Sequence, residues 1–140
     1  MLSSRFAIAV HVLAVLAQTP GEPWTSDFLA GSIDTNPVVV RRLIGKLRQA
    51  GLVEVAPGPK GGARLVRPAA EIGLATVYRA VEAGELLPLH RHPPNPACPV
   101  GRSIGEVLGA IFGEAERALE GVLAGKTLAD VSAAIASCQP

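Results

Sequence analysis

The chain is 140 residues long, enough for one domain or for a small domain with an added arm. Hydrophobic residues make up 49% of it and aromatics 4%, so Leu, Val, Ile and Ala must fill the core. No apolar run reaches the ~18 residues of a membrane span, and two cysteines without CxxC spacing exclude a disulfide framework or an obvious zinc site. The formal net charge of +1 hides a division: residues 1–68 carry eight Lys/Arg against four acids, residues 69–140 five against eight. A basic half joined to an acidic half suggests a module for a polyanion attached to something else.

In "MLSSRFAIAVHVLAVLAQTP", Arg5 ahead of an apolar stretch has the outline of a secretory signal. A single basic residue and the interruption at His11 point instead to an amphipathic helix and a cytoplasmic protein. That helix is expected from Ser4 to Gln18, with Phe6, Val10, Leu13 and Leu16 at helical spacing and His11 in a structural place. "TPGEP" ends it. Thr25 then offers an N-cap for a short helix from Ser26 to about Gly31. After the tight connection "GSIDTNP", Asn36 caps a third helix with Pro37 at its first position, and Gly51 stops it.

The third helix sorts its residues by face. Val40, Leu43, Ile44 and Leu47 make a stripe at i, i+3, i+4, i+7. Val38, Arg42, Gly45, Lys46 and Gln49 fall opposite, with Arg41 and Arg48 on a flank, and the helix contains no acid. Two helices joined by a short turn, the second basic on its outside, read as a helix-turn-helix. "LVEV" and "ARLV" read as a hairpin whose tip is built from Pro57, Gly58, Pro59, Lys60, Gly61 and Gly62. Three helices and a basic hairpin make a winged helix.

Beyond Pro68 the chain changes character. "IGLATVYRAVEAG" gives a short helix with Leu74, Val77, Tyr78 and Val81 on its apolar stripe. A proline-rich loop, "LLPLHRHPPNPACPVG", leads to a long helix expected from Val100 or Gly101 to Leu123. Ile104, Leu108, Ile111, Ala115, Ala118 and Val122 keep near-heptad spacing along it, and such a stripe seeks a partner. "TLADVSAAIASC" forms a last helix capped by Thr127 and packed back on the assembly. The fold class is thus mainly α with a small β-hairpin: a winged helix-turn-helix plus a long C-terminal dimerisation helix. The expected division is 1–68 for DNA binding, 69–100 for a connecting helix and loop, and 101–140 for dimerisation.

"TSDFLAGSIDTNPVVVRRLIGKLRQAGLV", "PGPKGGARLVRP", "ATVYRAVE" and "NPACPVGRSI", together with the N-terminal segment, resemble the Rrf2 family of bacterial winged-helix regulators, the IscR, NsrR and CymR type. The resemblance implies a homodimer on a palindromic operator, mostly acting as a repressor, with the long helix at the dimer interface through Ile104, Leu108, Ile111, Ala115 and Val122. It also implies base contact by Val38, Arg41 and Arg42. Several members hold an iron–sulphur cluster through three cysteines ahead of the dimer helix. This loop has only Cys98, with Cys138 far along the chain, so no cofactor is expected.

The candidate site residues follow. Arg41, Arg42 and Lys46 suit a major groove, where Arg bonds guanine in bidentate fashion and Val38 touches a thymine methyl. Thr25, Asn36 and Arg48 suit the phosphate backbone. At the wing, Gly61 lets the backbone approach DNA while Lys60 and Arg64 add charge. Cys98, at a helix start in a polar loop, is the candidate for redox or electrophile sensing, against the plain reading of a structural thiol. His90, His92 and Cys98 offer an alternative, a metal- or ligand-responsive loop. No nucleophile–base pattern points to an enzyme. The rival of another class is a winged helix that binds protein rather than DNA, which a near-neutral third helix would favour.

Overall fold

The computed structural model describes residues 3–140. Its elements, in chain order, are α1 (Arg5–Gln18), α2 (Ser26–Ile33), α3 (Pro37–Gln49), β1 (Val53–Ala56), β2 (Gly62–Leu65), a 3-10 turn (Ala69–Glu71), α4 (Leu74–Val81), α5 (Pro99–Ala124) and α6 (Leu128–Ser137). The two strands pair antiparallel, with Val53 opposite Leu65 and Ala56 opposite Gly62. Six helices and one hairpin give the expected winged helix followed by a long helix.

α1 runs through the middle of the fold and packs on α2, α3, α4, α6 and β2. Its fully buried residues are Ala9, Val12, Leu13 and Leu16. Phe6 and Val10, placed on the stripe by spacing alone, are only half-buried. A helix surrounded on several sides buries a broad arc, and periodicity picks out one edge of it. The third helix needs no such correction: Val40, Leu43, Ile44 and Leu47 are its buried residues.

The local signals at the helix ends act as the sequence suggests. Thr25 Oγ1 accepts the Phe28 N–H at 3.1 Å, and Asn36 Oδ1 accepts the Val38 N–H at 2.8 Å. α2 continues past Gly31 to Ile33, because Asp34 takes the left-handed conformation (φ 62°) that ends it. Gly51, at φ 75°, turns the chain out of α3 and into β1. Thr127 and Asp130 form a reciprocal capping box at the start of α6.

One core holds the winged helix, α4 and the start of α6 together. Leu13, Leu29, Leu43, Leu52, Ile72, Val77 and Leu128 are all fully buried in it. The Leu128 N–H donates to the Ile72 carbonyl at 2.8 Å and the Leu74 N–H to the Lys126 carbonyl at 2.9 Å, which ties α6 to the entry of α4. On α4 the buried residues are Ala75, Val77 and Val81, while Leu74 and Tyr78 are half-buried. α5 stands apart. It packs chiefly on α4, and none of its 26 residues is fully buried. Val107, Ile111 and Val122 are 54%, 53% and 66% exposed. Among the described residues no helix is long and apolar enough to cross a membrane.

Candidate nucleic-acid interface

The start of α3 is where a polyanion meets this fold best. Pro37 and the Asn36 cap fix its entry, and Val38 stands half exposed on the first turn. Arg41, Arg42 and Arg48 are exposed and Lys46 is half-buried. Among the described residues none of these four cations lies within 4.0 Å of a carboxylate, so their charge is uncompensated. Thr25 and Asn36 spend an acceptor oxygen on their own helix caps. The Thr25 hydroxyl hydrogen and the Asn36 amide hydrogens stay available to a phosphate.

The wing is joined to α2 by more than chain connectivity. Trp24 exchanges both backbone hydrogen bonds with Ala63 of β2, each at 2.9 Å, so Thr25 starts α2 beside the wing's return strand. The close approach explains Gly62: a Cβ there would run into the Trp24 backbone. Trp24 also stacks on Phe28, ring centroids 4.4 Å apart, and its Nε1–H donates to Thr19 Oγ1 at 2.8 Å. Nothing in the spacing of these aromatics announces that pairing.

At the tip, Lys60 is exposed and has no carboxylate partner among the described residues. Gly61 differs from its expected part. It is buried, its N–H donates to the Gly58 carbonyl at 3.0 Å, and a Cβ would strike the Ala56 carbonyl. It shapes the turn from inside rather than offering a surface. Arg64 lies opposite Glu54 in the register and forms an ion pair with it, so half of the charge expected at the wing is compensated. Arg67, just past the wing, is exposed and without such a partner among the described residues.

The second group of expected residues does not assemble into a centre. Cys98 is exposed at the N-cap of α5 and makes no side-chain cap bond. Cys138 is exposed at the far end of α6. His90 and His92 are exposed in the loop, and among the described residues no three His, Cys, Asp or Glu side chains converge as metal ligands.

Comparison with known proteins decides the family. The sequence profile of Rrf2, described as an iron-dependent transcriptional regulator, matches residues 2–134. The chain belongs to the Rrf2 family of transcriptional regulators. It is 42% identical over 131 residues to YwnA of Bacillus subtilis (strain 168), provisionally named as an HTH-type transcriptional regulator, covering 94% of this chain and 96% of that one. A crystal structure provisionally described as a DNA-binding protein superposes with a TM-score of 0.74 at 38% identity, over 91% of this chain and 98% of the other. IscR of T. potens superposes with a TM-score of 0.74 at 25% identity, over 100% of this chain and 91% of its own. IscR is a winged-helix regulator, and Rrf2 proteins are transcriptional regulators rather than enzymes. The iron in the family's description does not fit this donor set: one chain supplies two separate, exposed thiols and, among the described residues, no converging third ligand.

Proposed function

We propose that this Rrf2 protein is a homodimeric repressor that reads a palindromic operator in the cytoplasm. The observation that carries the reading is the acid-free α3, whose Arg41, Arg42 and Lys46 face outward without a counter-charge among the described residues. Four uncompensated cations on one helix suit a polyanion better than a protein surface of mixed charge. DNA does, because each neutralised phosphate releases a counterion. In this reading Arg41 and Arg42 reach guanine edges and Val38 a thymine methyl. Thr25, Asn36 and Arg48 hold phosphates, and Lys46 adds charge beside them. Lys60 reaches the minor groove from the wing tip, with Arg64 joining once it leaves Glu54.

The dimer is supported by α5. Val107, Ile111, Ala115 and Val122 are exposed beside half-buried Ile104 and Leu108, and together they form a stripe that a soluble monomer would leave in water. Cys98, exposed at the start of the same helix, is the proposed point of redox control. Two half-sites about 34 Å apart suit two recognition helices, and a Kd of about 10⁻⁸ M or tighter is expected at physiological salt. Selection from random DNA should return a rough palindrome. Arg41→Ala or Arg42→Ala should cost about 1–3 kcal/mol and relax one position per half-site. A selection that enriches no motif sinks the reading.

A further inference from the structure

α5 reaches the winged helix chiefly through α4, so whatever lies at their junction can set the angle between the two. A cavity of about 300 Å³ lies there, where the start of α1, the end of α4 and the loop at 83–86 meet Leu119 of α5. That volume is at the lower end for small-ligand sites. Phe6 and Tyr78 contribute two rings at its wall, edge to face with centroids 5.4 Å apart, and Leu86 and Leu119 add apolar surface.

The charge around it is unbalanced. Arg5 is tied to Glu82 at 3.3 Å, and Ser3 Oγ donates to the other Glu82 oxygen at 3.1 Å. Glu85 also lines the cavity, exposed and without an ion-pair partner among the described residues. An adjoining cleft shares Tyr78, Glu82 and Gly84 and brings Glu116 and Glu120 against Arg79 and Arg117. Across both spaces four carboxylates face three guanidiniums. The Tyr78 hydroxyl registers this field: burial first, then Glu82, Glu116 and Glu120, holds it above its ordinary pKa and therefore protonated. Aromatic faces, apolar walls and surplus negative charge favour an organic cation. The buried Arg5 Nε–H, without a partner among the described residues, offers an anion one donor, but the surplus of carboxylates around it disfavours one, and a neutral hydrocarbon gains only the apolar walls.

We propose that this cavity binds a small apolar organic cation, and that occupancy shifts α5 against α4 and weakens operator binding. The second half rests on the DNA-binding reading above. Movement of the dimer helix relative to the winged domain changes the spacing of two half-sites, so an occupant far from the recognition helix can release DNA.

Phenyltrimethylammonium and its uncharged isostere tert-butylbenzene make the test, titrated into the full-length, isotope-labelled protein and followed by NMR. The ammonium should shift the amides of Tyr78, Gly84 and Leu119 saturably, with the isostere about tenfold weaker for lack of its charge. Glu85→Gln should weaken the ammonium about threefold, the loss expected of one exposed carboxylate. Leu119→Trp, which fills the cavity from a helix with no buried residue, should abolish binding. Equal binding of the two probes, or no shifts at these residues up to the solubility of either, overturns the site. Saturation by the ammonium with no change in operator affinity overturns the effector half. A protein that binds no operator before any probe is added counts against the DNA-binding reading and leaves the cavity standing.

Discussion

Glu54 and Arg64 sit directly opposite each other on the wing, and their side chains form an ion pair across it. Both are about half exposed, at 49% and 45%, so the pair stabilises the hairpin by no more than ~1 kcal/mol. It does, however, withhold a cation from any polyanion that approaches. Arg64 can exchange Glu54 for a phosphate, at the cost of leaving the carboxylate beside the DNA.

Glu54→Gln should therefore strengthen DNA binding about two- to fivefold at low salt and steepen its salt dependence, by freeing one more cation to displace a counterion. Lys60→Ala should act in the opposite sense and lower the salt slope by about one. Arg64→Ala should weaken binding less than Lys60→Ala. Titrations at several salt concentrations check all three, and unchanged slopes in both Glu54→Gln and Arg64→Ala would show that Arg64 never meets the backbone.

The exposed stripe of α5 makes the oligomer prediction specific. Val107 and Ile111 are the residues to change, because Leu108 is half-buried, whereas these two stand more than half in water. Val107→Asp with Ile111→Asp should leave the winged helix folded, since neither contributes to the buried core. The double variant should be monomeric by light scattering and bind a full operator at least tenfold more weakly, as two half-sites are no longer held by one particle. Wild-type protein that stays monomeric at micromolar concentration contradicts the stripe's assignment.

The fold was legible where one residue type has one use. Asn36–Pro37 suits a helix start and Gly51 a helix end, and α3 keeps Val38, Arg42, Gly45 and Gln49 in solvent, so its stripe stays sharp although four elements pack on it. α1 was harder, because its neighbours on several sides erase a clean period. The bonds between Trp24 and Ala63 are non-local and backbone-made, so no side-chain pattern encodes them. The site was legible as a set of cations but not as a balance of charge. Arg64 looks like Lys60 in sequence, and only the strand register reveals that Glu54 answers it. Gly61 likewise reads as open backbone until the turn closes over it.

Tyr78 offers a titration that no other residue can blur, since it is the single tyrosine of the chain. Its hydroxyl is held above the ordinary 10.0 by burial and by Glu82, Glu116 and Glu120. The folded state thus keeps this proton longer than the unfolded chain. The linked stability is complete below the unfolded value and is lost as pH rises through the folded one. Ultraviolet absorbance should show a midpoint above 10.0 in native protein, lower in Glu116→Gln, and back at about 10 in denaturant. Tyr78→Phe should flatten the alkaline decline of stability. A native midpoint at or below that of the denatured chain rules the field out.

Cys98 joins exposure to a mechanical position. Its N–H donates to the Asn95 carbonyl at 3.2 Å, and its own carbonyl accepts the Arg102 N–H at 2.9 Å, which links the loop to the first turn of α5. The Asn95 carbonyl also lies so close to Gly101 that a Cβ there would not fit. Loop and helix start therefore move together. Attack of the thiolate on peroxide gives a sulfenic acid and hydroxide, and a second peroxide converts it, with release of water, to a sulfinate whose fixed charge the neutral thiol lacks. We expect this to tilt α5 and lower operator affinity about tenfold or more, through the half-site spacing and without touching α3. Cys98→Ser should bind DNA as wild type does and ignore peroxide, whereas Cys138→Ser should respond as wild type does. Gel-shift titration with and without peroxide, alongside mass spectrometry of the oxidised thiol, decides the matter. Equal loss of binding in wild type and Cys98→Ser, or oxidised Cys98 with full operator affinity, would make this thiol a bystander at the head of the helix.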